Sequence, residues 1–183
     1  MRRVVRRVVA VLATLGLMST VVVLVSTSPV LARGQRMRLT SPAFAPGAMI
    51  PIGFTCDDQD VPPPLRWSGL PAPTVELALT VEDLDTLGRT FVHWVAWGID
   101  PASGGLPEGV VPAGVHEGRN SAGRDGYLGP CPPAGSDPHR YRFTLYGVRH
   151  HLVLSPSDTV DQLRSAVRGL VLGRAELVGR YAR

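Results

Sequence analysis

The chain has 183 residues, enough for one domain of ordinary size and too few for two, and its 44% hydrophobic content against 19% charged content excludes wholesale disorder. The net charge of +4 comes from Arg2, Arg3, Arg6 and Arg7, because from residue 33 onward 15 arginines face 15 acidic residues. A neutral body with scattered arginines excludes a basic nucleic-acid-binding domain.

The first element in chain order is a leader over 1–32. The four arginines precede an apolar stretch from Val8 to Val25, and Val30-Leu31-Ala32 places small side chains three and one positions before a cut after Ala32. That order of charge, apolar run and small residues predicts a secretory signal peptide, hence a secreted or cell-envelope protein. An uncleaved membrane anchor is the alternative, since the stretch is about long enough to span a bilayer. The paired arginines hint at the twin-arginine route, and no cysteine follows the cut to carry a lipid. The remaining 33–183 reads as a single domain.

From Met37 to about Pro156, short apolar runs alternate with proline and glycine. Val75 to Val81 alternates as a half-buried strand does, Phe91 to Ile99 suits a strand buried on both faces, and Tyr141 to Tyr146 alternates again. Prolines such as Pro62-Pro63-Pro64 separate these runs and fix the loops. The texture predicts a mainly β fold, a sandwich or Greek key. The tail changes period. Ser157 or Asp158 can cap a helix carrying Val160, Leu163, Val167, Leu170 and Val171, and a second short helical turn through Ala175, Leu177 and Val178 is expected after Gly173.

Cys56 and Cys131 are the two cysteines. An exported chain could join them, closing a long loop for about 4 kcal/mol in the chain-entropy model. Two free thiols fit the sequence equally well.

Three polar clusters interrupt the apolar pattern. Asp83-Leu84-Asp85 follows a strand, so alternation predicts both carboxylates on one side. His93 lies inside an apolar run. The third runs from Gly118-Arg119-Asn120 through Gly129-Pro130-Cys131-Pro132-Pro133 to His139-Arg140-Tyr141. Positions 83, 85, 93 and 139 match no standard metal-ligand spacing, so no metal is expected. The Gly-x-Ser-x-Gly elbow is absent, and Cys131 is the one unusual nucleophile candidate. Each cluster also has a plain structural reading: a satisfied core histidine, a solvated Asp-x-Asp turn, and an Arg140 that covers apolar surface.

In combination these segments resemble the phosphatidylethanolamine-binding protein family, in its bacterial Raf-kinase-inhibitor-like branch. The resemblance rests on Leu39-Thr40-Ser41-Pro42-Ala43-Phe44, Ile50-Pro51, Phe54-Thr55-Cys56-Asp57, Pro63-Pro64-Leu65-Arg66-Trp67, Glu82-Asp83-Leu84-Asp85, His93-Trp94-Val95 and Gly118-Arg119-Asn120. It continues through Tyr127 to Gly135, His139-Arg140-Tyr141-Arg142-Phe143 and Ala175 to Tyr181, and so covers nearly all of 37–183. It implies a β-sandwich built on a large antiparallel sheet, C-terminal helical segments, and a small anion pocket for phosphate-like or phospholipid head groups. It further implies no catalysis, no cofactor, and in some members inhibition of a protein target such as a kinase or protease. Carried over by position, the pocket is lined by Asp83, Asp85, His93, Pro132, His139 and Tyr141, with Tyr127 and Gly129 nearby.

In that setting the histidines and the tyrosine would donate to phosphate oxygens. The carboxylates would orient a histidine or meet the ammonium of an ethanolamine head group. Two departures stand out. The family's Asp-Pro-Asp-Ala-Pro loop reads Asp83-Leu84-Asp85-Thr86-Leu87, which predicts a looser loop with less firmly placed carboxylates, and the final helix carries Arg168-Gly169-Leu170. Three readings follow: an exported binding protein, an inhibitor acting through the pocket mouth on a secreted hydrolase or kinase-type target, or a hydrolase using His93 or His139 as base. A kinase-inhibitory role taken from cytosolic relatives fits an exported chain poorly.

Overall fold

The computed structural model describes residues 36–183, and the leader expected over 1–32 lies outside the described residues. The described residues fall within one compact unit, Gly34–Arg183. Eight strands and one helix follow in order: β1 Arg38–Thr40, β2 Leu65–Ser68, β3 Glu76–Asp83, β4 Phe91–Ile99, β5 Gly105–Leu106, β6 His116–Glu117, β7 His139–Val148, α1 Val160–Val167 and β8 Val171–Tyr181. A three-stranded sheet has the order β1-β2-β5, a five-stranded sheet the order β6-β4-β3-β7-β8, and every pairing is antiparallel. The fold is mainly β.

Two apolar layers flank the larger sheet. Leu77, Leu79, Val81, Trp94, Phe143, Leu145 and Leu177 pack toward Leu39, Leu65 and Trp67 of the smaller sheet. On the other face Ala78, Val95, Trp97 and Val148 meet Val160, Leu163 and Val167 of α1, whose spacing forms one helical stripe. This second layer corrects the half-buried strand expected at Val75 to Val81. β3 is buried at every position because sheet covers one face and helix the other.

The tail differs from expectation in two respects. The single C-terminal helix is capped by Thr159 with Gln162 in a capping box, in place of Ser157 or Asp158, and it ends at Val167. Gly169, at φ +76°, turns the chain out of the helix, so Arg168-Gly169-Leu170 is an exit turn. The expected second helical turn is strand β8. Ala175, Leu177, Gly179 and Tyr181 face inward with period two while Arg174, Glu176 and Arg180 are exposed, and three apolar residues so close together carried either period.

Leu163→Ala should lower unfolding free energy by about 3 kcal/mol in chemical denaturation, with one transition, if α1 folds together with the sheet it covers.

Candidate functional site

The candidate residues collect at one end of the larger sheet. Asp83 is the last residue of β3 and pairs across the sheet with Phe91, the first of β4, and with Tyr141 near the start of β7. His93 owes its position to a bulge. Val81 pairs with Trp94 and Glu82 with Val92, which leaves His93 as the extra residue, and a bulge of this kind re-aims a side chain. The His93 ring meets Tyr141 edge-on at 5.2 Å and Phe91 at 4.8 Å between centroids.

Hydrogen bonds fix the orientation of both imidazoles. His139 Nδ1 donates to Asp83 Oδ2 at 2.8 Å, and His93 Nδ1 donates to the Leu128 carbonyl at 2.8 Å. In each ring the acceptor places hydrogen on Nδ1 and leaves Nε2 as the remaining polar atom. Burial pushes the His93 imidazole below its usual range, against the Leu128 hydrogen bond and the Asp83 charge, so this ring is held neutral. Burial and the adjacent Asp83 charge raise the Tyr141 phenol, which stays protonated. The Tyr141 hydroxyl lies beside Asp83 and the Cys131 backbone, yet it has no hydrogen-bond partner of acceptable geometry.

The two aspartates do not act as a pair. β3 ends at Asp83, so strand alternation no longer governs Asp85. Asp83 Oδ1 accepts the Asp85 amide at 2.9 Å, which closes the turn, and Asp85 reaches the surface instead. There it accepts from the Arg140 amide at 2.7 Å, from Arg140 Nε at 3.0 Å and from the terminal guanidinium nitrogen at 2.6 Å. Those hydrogen bonds hold the Asp85 carboxyl down at about 2. Leu84 N–H also donates to the Arg140 carbonyl at 2.9 Å. The loop without prolines is held at its base, over 83–85, by these hydrogen bonds, while Leu87 beyond it is fully exposed.

A wall over 127–133 stands behind the cluster. Tyr127 donates its hydroxyl to the Phe54 carbonyl at 2.8 Å, Gly129 N–H donates to Asp60 Oδ1 at 2.6 Å, and Cys56 N–H donates to the Pro130 carbonyl at 3.2 Å. Cys56 and Cys131 are joined in a disulfide across a sequence separation of 75, so Cys131 is not a nucleophile. Gly129 could carry no side chain: an added Cβ would lie 2.7 Å from the Phe54 carbonyl oxygen and 2.7 Å from Thr55 Cα. Pro132 is buried beside the bridge.

The structure thus brings Asp83, His93, His139 and Tyr141 into one cluster and sets Asp85 at its rim. Tyr127 and Gly129 belong to the supporting wall, with their polar groups already committed. Sequence reading missed two contributors. Asp60 anchors Gly129 and acts by charge on His93 and Tyr127, and Arg140, read as a cover for apolar surface, neutralises Asp85. Nothing local marks either one. Among the described residues no group of histidine, cysteine or carboxylate side chains has the arrangement to hold a metal ion. Two surface cavities of about 430 and 580 Å³, one beside α1 and one beside the start of β8, are lined by none of these residues. Titratable chemistry, not volume, distinguishes the cluster.

A family model described as phosphatidylethanolamine-binding protein matches residues 40–182. The chain belongs to this family. A Mycobacterium tuberculosis protein called LppC, with "lipoprotein" in its name, is 47% identical over 156 residues, which cover 85% of this chain and 77% of that one. Among solved structures, the phosphatidylethanolamine-binding protein homologue CT736 of Chlamydia trachomatis superposes with a TM-score of 0.77 at 35% identity, covering 81% of this chain and 99% of its own. Escherichia coli YbcL, a member of the same family, gives 0.76 at 25% identity with the same coverages.

The depressed His93 titration has a stability consequence. An unfolded chain binds the proton more readily than the buried ring, so this contribution is complete above the unfolded histidine value near 6.5 and is lost as pH falls below it. Denaturation midpoints followed from pH 7.5 to 5 should fall in the native protein. In His93→Asn the slope should be shallower by up to about 1.4 kcal/mol per pH unit.

Proposed function

We propose that the chain is an exported binding protein whose cluster of Asp83, His93, His139 and Tyr141 takes a phosphate-like anion, the group shared by inorganic phosphate and phospholipid head groups. The observation that carries this reading is the orphaned Tyr141 hydroxyl. A buried donor that makes no well-formed hydrogen bond is poorly satisfied, and a ligand oxygen seated against it would complete it. His139, oriented by Asp83, adds a second donor at Nε2 once its ring is charged. Family members are in general binding proteins without catalysis, and the proposed reading follows them.

Export is supported by the arginine-led apolar leader and by the lipoprotein label of LppC. Both cysteines of this chain are tied to each other, so the sequence offers no thiol for lipid attachment, and the leader is proposed to deliver a protein without a lipid anchor. A disulfide whose Cys131 side is exposed fits an oxidising compartment.

Calorimetric titration of the purified protein with ethyl phosphate tests the binding reading. Tyr141→Phe should weaken binding about tenfold by removing a donor to a charged oxygen, while stability stays within about 0.5 kcal/mol or rises because an unsatisfied group is lost. Equal affinity in the variant, or no binding by the native protein, sinks the proposal.

A further inference from the structure

A zwitterionic head group needs two things from a site: donors for its phosphate and a carboxylate for its ammonium. The donors are present in the cluster. The carboxylates around it are all engaged by the protein. Asp83 uses Oδ1 on the Asp85 amide and Oδ2 on His139. Asp57 accepts from the Tyr181 hydroxyl at 2.7 Å and from Arg183 Nε at 2.9 Å. Asp60 is turned onto the Gly129 amide.

Asp85 stands nearest the surface and is the residue best placed to meet an ammonium, but Arg140 grips both of its oxygens. A guanidinium bound in two-pronged fashion is a fixed counter-ion, and an incoming primary amine has no better geometry to offer in exchange. The Arg140 side chain is itself 55% exposed, so an ammonium that displaced it from Asp85 would face a freed guanidinium charge at the rim. Burial of the ligand's phosphate against Tyr141 would leave its ammonium facing that rim.

We propose that the site selects phosphate-ester anions as such, with Arg140 as the specificity residue that occupies the carboxylate an ammonium would otherwise meet. The inference rests on the anion reading of the same cluster. The amine of ethanolamine adds nothing to recognition, and phosphate esters without an amine are ligands of equal rank.

The experiment compares ethyl phosphate with phosphoethanolamine by calorimetry at one pH, on the native protein and on Arg140→Ala. In the native protein ethyl phosphate should bind as tightly as phosphoethanolamine or more tightly. Phosphoethanolamine tighter by more than threefold overturns the proposal and leaves the anion reading standing, whereas no binding of either ester removes both. Arg140→Ala keeps the backbone amide that positions Asp85 and frees the carboxylate, so the affinity ratio should shift at least fivefold toward phosphoethanolamine. An unchanged ratio overturns the role of Arg140. Co-sedimentation with phosphatidylcholine vesicles doped with either phosphatidic acid or phosphatidylethanolamine separates a lipid source of the ester from a soluble one. Preference for phosphatidylethanolamine vesicles counts against the proposal, and absence of that preference supports it.

Discussion

Strand β3 is covered on both faces, yet it carries three carboxylates, and the rest of the structure is arranged around the partners they require. Glu76, Glu82 and Asp83 are each no more than 5% exposed. A carboxylate taken out of water stays charged only when hydrogen bonds and counter-ions replace the lost solvation. Glu76 accepts from the Gly98 amide of β4 and from the Leu152 amide, and so ties the loop after β7 to the sheet. Glu82 meets Arg164 of α1 at 2.6 Å and Arg142 of β7 at 3.3 Å, which fastens the helix. Asp83 faces the opposite side from Glu82 and takes His139. One strand therefore holds the helix on one face and orients an imidazole on the other, and both requirements arise from the same burial.

The site draws its rigidity from long-range contacts. The 127–131 wall is held to 54–60 by a disulfide and three hydrogen bonds, and the 83–85 turn is held by its own amide and by Arg140. Ordering of this kind is complete before a ligand arrives, so it does not subtract from binding. Prolines in the loop would have given the same result through the backbone. Here side chains on neighbouring strands do it, which explains why a sequence reading that sees only missing prolines expects mobility.

What could be read in advance follows the range of the interaction involved. β4 and β7 announce themselves because an unbroken apolar run or a period of two is a local property. The shared end of the sheet was accessible only through the combined segments, since His93 and His139 are each unremarkable alone. β8 was misread because glycines at 173 and 179, required by close packing against Pro71 and Ile50, remove the apolar side chains that would have shown its period. Asp60 and Arg140 act on residues 69 and 55 positions away, and no spacing rule reaches that far.

The charge balance of the cluster divides the work between its two histidines. Asp85 and Arg140 cancel, Asp83 is negative, and burial keeps His93 neutral. His139 has Nδ1–H committed to Asp83, which leaves Nε2 as its remaining polar atom. His93 contributes differently. With Nδ1–H committed to Leu128, a neutral ring offers a lone pair at Nε2, so a ligand oxygen that meets it must bring the hydrogen itself. On the proposed anion reading, a singly protonated phosphate would bring both an oxygen to accept from Tyr141 and a hydroxyl to donate to His93, whereas the fully ionised form would lack the second, so a neutral His93 would make the ligand's own proton part of recognition.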